Sequence, residues 1–157
     1  MTEPNEATAP QLTDAIRREL AERWNTDPGI ARIGARLDIV SAHELRATVD
    51  PIEPHHRGGM GTSAVNGPTI AAIFDLVTGL TGYLQMPGKR AAVAQLNIQF
   101  QRPVDGIRFH VVGRPARTGR SLVFVSCELH DEQDVVCARC DGLVYVSQTD
   151  GTGELAL

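Results

Sequence analysis

Between residues 69 and 84 polar positions almost vanish: Ile70, Ala71, Ala72, Ile73, Phe74, Leu76, Val77, Leu80 and Leu84 occupy all sides of a helical wheel. Apolar residues all round predict a helix enclosed by the rest of a fold, whereas a surface helix carries a single apolar stripe. Its ends are marked. Asn66 and Gly67 suit an N-cap, and Pro68 suits the first turn, where its missing N–H removes no helical bond. Pro87-Gly88 stops the helix. Across residues 58–88 the only formal charge is Asp75.

The flanks read differently. Residues 1–10 are polar and expected to be disordered. Leu12, Ala15, Ile16, Leu20 and Trp24 recur at helical spacing, with Thr13 placed to cap, and predict a short helix over residues 11–24. Residues 25–29 carry turn chemistry. From residue 30 to 50 the period drops to two: Ala35, Leu37 and Ile39, then Leu45, Ala47 and Val49, alternate with outward positions. That predicts one long bent strand or a hairpin turning at residues 41–44. A Pro/Gly loop over residues 51–65 carries His55, His56 and Arg57. After the apolar helix come four strand-like runs, at residues 91–101, 107–117, 121–131 and 135–147, and then a flexible tail at 148–157.

This order is an α+β arrangement, an antiparallel sheet wrapped around one helix in a single domain over residues 11–147. One sheet cannot enclose a helix that is apolar all round, so a second copy of the chain is expected against its open side.

At 157 residues and 17.0 kDa the chain is long enough for a full core. A net charge of −4 with 4% aromatic residues argues against a nucleic-acid partner. Residues 69–84 fall short of the ~20 needed to span a bilayer, so no membrane partner is expected. The first ten residues lack a basic segment followed by an apolar one, so a cytoplasmic location is expected. Cys137 and Cys140 have a C-x-x-C spacing but sit on a strand, where positions three apart face opposite sides. They and Cys127 read as reduced packing residues, with no metal expected.

A carboxylate in an enclosed helix must be bonded, protonated, or placed at a wet cleft. Asp75 is therefore either bonded to neighbouring hydroxyls such as Thr78, or catalytic, about two turns into a helix whose N-terminus can hold developing negative charge.

These residues resemble the hotdog-fold acyl-CoA thioesterases of the phenylacetic-acid-degradation branch. That family shows His-Gly-Gly at the start of the central helix, with an acid eight positions after the first glycine; here Asn66-Gly67-Pro68 stands there, with Asp75 eight after Gly67. The family's L-N-I-x-F/Y-x-x-P strand is matched by Leu96-Asn97-Ile98-Gln99-Phe100-Gln101-Arg102-Pro103, and its Gly-Arg turn by Gly119-Arg120. The resemblance covers residues 30–146.

The resemblance implies a hotdog fold, with an antiparallel sheet wrapped around one long central helix and a short N-terminal helix. It implies hydrolysis of a small, aromatic or medium-chain acyl-CoA, with coenzyme A as part of the substrate and no separate cofactor. The Gly67 amide would polarise the thioester carbonyl, and Asp75, contributed across a homodimer interface, would activate water or attack directly. Asn66, in the histidine's place, would donate to a carbonyl or fix a loop. Arg102, Arg117 and Arg120 would hold the phosphates of coenzyme A, with Arg108 and Arg114 as weaker candidates. His56, Pro68 and Gly119 complete the expected substrate contacts, and a dimer of dimers is possible in this fold.

The family's loop asparagine is Met60 here, and its strand Thr or Ser is Val93. Those two departures and Asn66 motivate an alternative, a non-hydrolysing acyl-thioester-binding protein on the same fold. A hydratase would carry a histidine soon after its aspartate, and the next one here is His110.

Overall fold

The computed structural model describes residues 12–59 and 61–150. The expected disorder of residues 1–10, Met60 and the tail at 151–157 lie outside them.

The N-terminal helix α1 spans Asp14–Asn25, and the Thr13 hydroxyl accepts from the Ile16 N–H as its cap. A second short helix, α2 (Pro28–Ile33), follows where the alternation predicts strand. Local chemistry explains the difference. Asp27 caps the Gly29 and Ile30 N–H groups at 2.7 and 3.2 Å, Pro28 sits in the first turn, and Gly34 ends the helix at a left-handed φ of 76°. The strands are a hairpin, β1 (Ala35–Ser41) and β2 (Glu44–Val49). A 3-10 turn, Pro54–His56, lies in the loop, and α3 (Gly67–Gln85) is the apolar helix.

The remaining strands are β3 (Lys89–Phe100), β4 (Phe109–Thr118), β5 (Leu122–Asp131) and β6 (Val136–Asp150). β6 runs three residues past the predicted end at Ser147. All six pair antiparallel in the order β1-β2-β4-β5-β6-β3, and α3 lies across one face as a hotdog fold. Ile73, Phe74, Val77, Val111, Val125 and Val144 form the contact layer, each at most 1% exposed. Close approach depends on glycines. A Cβ on Gly113 would lie 2.5 Å from Val77, and one on Gly142 would overlap Thr78. Among the described residues no helix is long and apolar enough to cross a membrane. Cys127, Cys137 and Cys140 are free and buried; burial pushes the Cys127 thiol up to about 12, which suits a packing residue.

Candidate active site

The N-terminus of α3 is held by Asn66. Its side-chain oxygen accepts from the Thr69 N–H at 2.8 Å, and its side-chain nitrogen donates to the His55 and Arg57 carbonyls, both at 3.3 Å. One amide thus caps the helix and closes the preceding loop onto it. Pro68 has no N–H and Thr69 is capped, so the first turn keeps one open donor: the Gly67 N–H bonds to no group among the described residues. It sits at the positive end of the helix dipole. A pocket of about 330 Å³ lies over it, between Val65, Gly67 and Ile70 on one side and Phe100, Arg102 and Val104 on the other. The Phe100 ring, 57% exposed, is 3.9 Å from where a Gly67 Cβ would stand. Sequence reading placed Phe100 in the family's strand motif but missed it as a wall of this pocket. An aromatic at a strand end carries no mark of its exposure.

Asp75 lies on the same helix, on a stripe left open with Pro68 and Ala72. So α3 is not enclosed on every side within one chain. The hydroxyl-bonded reading of Asp75 is not found: Thr78 faces the core, 3.5 Å from the Cys127 sulfur, and Asp75 makes no hydrogen bond or ion pair among the described residues. Partial desolvation, with no opposing partner, raises its carboxyl pKa above the ordinary 3.8. Eight residues of helix separate it from Gly67 by about 12 Å.

The arginines divide between two ends of the sheet. Arg102 joins the Gly67 pocket, its N–H bonded to the Cys137 carbonyl at 3.0 Å. Arg117, Gly119 and Arg120 sit at the β4–β5 turn, where Gly119 N–H donates to the Leu122 carbonyl at 2.8 Å and Ser121 accepts from Val146 N–H at 2.8 Å. Val146 pairs with Ala91 at the start of β3, whereas the pocket lies beside Phe100 at its end. The two sets are therefore about 30 Å apart along the strand. Arg114 is engaged by Glu44 at 2.8 Å.

His56 requires a correction. It is 2% exposed, and both ring nitrogens are engaged: Nδ1 accepts from the Glu53 N–H at 3.0 Å, and Nε2 donates to the Ile33 carbonyl at 2.9 Å. Burial holds its pKa below the ordinary 6.5, so it stays neutral. It clamps the loop to α2 and has no face left for a substrate. A Gly34 Cβ would meet the ring at 2.8 Å, so the buried ring needs a glycine at position 34. The exposed look of a histidine in a Pro/Gly loop concealed this.

Comparison with known proteins agrees with the architecture. Residues 62–138 match the family model described as the thioesterase superfamily. No curated protein matches the chain. A thioesterase from Haemophilus influenzae superposes with a TM-score of 0.75 at 16% identity, covering 88% of this chain and 94% of that one. The PaaI protein of the E. coli phenylacetic acid degradation operon gives 0.73 at 13% identity, with 85% and 94% covered. A Bacillus halodurans protein crystallised with CoA gives 0.59 at 24% identity, with 67% of each chain covered.

Proposed function

We propose, from the match of residues 62–138 to the thioesterase superfamily and from the shared fold, that the chain hydrolyses the thioester of a small, aromatic or medium-chain acyl-CoA. The observation that carries the reading is Asp75: an unpartnered carboxylate with a raised pKa, on the open stripe of a helix whose first turn keeps one free N–H. The Gly67 N–H polarises the carbonyl and stabilises the oxyanion. Asp75 takes a proton from water as that water attacks, or attacks first itself, and the thiol of coenzyme A leaves with a proton. Asn66 positions the donor by capping the helix and holding the loop. Water and the chain's own groups suffice for this reaction.

A reacting carbonyl must lie about 3 Å from both donor and nucleophile. Groups 12 Å apart on one helix cannot meet that condition, so we assign Gly67 and Asp75 of each site to different copies of the chain. An antiparallel two-fold pairing along the free edge of β3 brings Gly67 of one copy toward Asp75 of the other when the axis passes midway between the two groups, about 6 Å along α3 from each. The same pairing carries Arg117, Gly119 and Arg120 of one copy toward the Gly67 pocket of the other, where with Arg102 they reach the phosphates of coenzyme A. The Bacillus halodurans relative crystallised with CoA is consistent with that ligand. Leu122, Phe124 and Tyr145 form an exposed apolar patch on the outer face that suits a dimer of dimers. The phenylacetic-acid-degradation branch is proposed from the Gly67–Asp75 spacing and the run from Leu96 to Pro103, and the PaaI protein shares the fold.

One observation favours the alternative of acyl-thioester binding without turnover. A Gly79 Cβ would lie 3.2 Å from Val93, so a side chain packed on α3 stands where the resemblance calls for a hydroxyl. A thiol-release assay on aromatic, short-chain and long-chain acyl-CoAs decides between them. Turnover by the native protein is expected to fall by about 10²- to 10⁴-fold in Asp75→Asn. Equal turnover in the variant sinks the mechanism, and binding without turnover in the native protein moves the assignment to the binder.

A further inference from the structure

The face of the sheet opposite α3 holds a second cluster of chemistry that the thioesterase reading leaves unused. His110 on β4 and His130 on β5 are cross-strand partners, and their rings stack with centroids 4.9 Å apart and planes 7° apart. Asp134, in the β5–β6 turn, reaches back between them: one carboxylate oxygen lies 3.2 Å from His130 Nδ1 and 3.7 Å from His110 Nε2. One ring nitrogen from each histidine and a carboxylate oxygen all fall within 4.8 Å of one another.

We propose that His110, His130 and Asp134 form a site for a first-row divalent transition ion, zinc fitting best, with water in the fourth position. Two imidazoles and one carboxylate are a borderline donor set that suits zinc and its neighbours over magnesium or calcium. Tetrahedral zinc with bonds of about 2.0–2.1 Å needs ligand atoms about 3.4 Å apart. Asp134 is exposed on a turn, so rotation of its side chain closes the set. Its backbone sits at a φ of 65°, a left-handed conformation that aspartate tolerates.

One further feature suits an ion. The other nitrogen of His130 faces Glu128 at 3.6 Å, and Glu128 is held by Arg139 at 2.9 Å. A carboxylate behind a ligating imidazole is the usual means of orienting it. The ion would tie the β5–β6 turn to β4, acting as a brace on the sheet.

Calorimetric titration of zinc chloride into chelator-treated, untagged full-length protein tests the site, with magnesium as the control. One zinc per chain and no magnesium is the expected result, with a rise in melting temperature that follows zinc concentration. His110→Ala and Asp134→Asn should each weaken zinc at least about tenfold, and Glu128→Gln about tenfold. Asp134→Asn keeps a residue that accepts the left-handed backbone, so it remains informative if His110→Ala fails to fold. No zinc binding by the native protein, or binding unchanged in Asp134→Asn, overturns the proposal.

Discussion

The sheet has two edges, and the chain treats them in opposite ways. β1 is sealed by α1: the Asn25 side chain accepts from the Leu37 N–H at 2.7 Å and donates to the Leu37 carbonyl at 2.9 Å, copying a neighbouring strand. Arg17 reaches the Val40 carbonyl on the same edge, and Leu20 and Trp24 bury the helix against the core. β3 has no such cover. Among the described residues the one strand paired with it is β6, and no position along it reaches the buried class. Beside it lies the open stripe of α3 with Asp75. An edge strand with free backbone groups invites another strand, and chains normally blunt such edges. The open edge is the longer one, the proposed catalytic groups lie along it, and the proposed two-fold pairing uses it.

Breaking the open edge should have the largest effect. Ala72 is exposed in the single chain but falls at the proposed two-fold contact, so Ala72→Glu places a charge there without disturbing the core. The expected outcome is a monomer by analytical ultracentrifugation, with turnover reduced by at least about 10²-fold because the two halves of each site no longer meet. A stable, active dimer would remove the basis for a shared site.

Opening the sealed edge sharpens the contrast. Asn25→Ala leaves the Leu37 N–H and carbonyl without partners, and denaturant unfolding should show a loss of about 1–3 kcal/mol. Turnover per folded molecule and oligomeric state should stay unchanged, since β1 lies far from α3's open stripe in the strand order.

At the helix start, Asn66→Ala removes the cap from Thr69 and the clamp on His55 and Arg57. A stability loss of about 1 kcal/mol is expected. A fall in turnover should accompany it, because the Gly67 donor is held by that cap. A variant with full turnover would mean that Gly67 is positioned by the helix alone.

The smallest effect is on the pH profile. His56 and His110 both have folded pKa values below the ordinary 6.5, so the unfolded chain takes up their protons first as pH falls. Stability from these groups is therefore present above about pH 6.5 and lost as pH drops from there toward their folded pKa values. Melting temperature should fall between about pH 7.5 and about pH 5.5, and less steeply in His56→Gln. An unchanged slope would show that His56 does not titrate with unfolding.

Much of this protein is set by local chemistry and is legible without coordinates. Periodicity located α1, the apolar helix and all four later strands to within a few residues, because side-chain spacing answers directly to burial on one face or two. Asn66, Gly67 and Asp75 were singled out by capping preference and by charge in an apolar run, both local signals. The short helix α2 was lost because a two-residue alternation further along overshadowed the capping set Asp27-Pro28 and Gly34. What the tertiary structure alone decided depends on which distant segments meet. His56 became a buried clamp because Gly34 leaves room for its ring. Arg102 went to the Gly67 pocket and Arg117 and Arg120 to the opposite end, because β3 runs the length of the sheet between them. His110 and His130 are twenty positions apart, with no spacing that marks a ligand pair, and meet only because the β4–β5 register sets them face to face. Sequence pattern reports how each residue relates to its neighbours in the chain; strand register and edge exposure are properties of the assembled sheet.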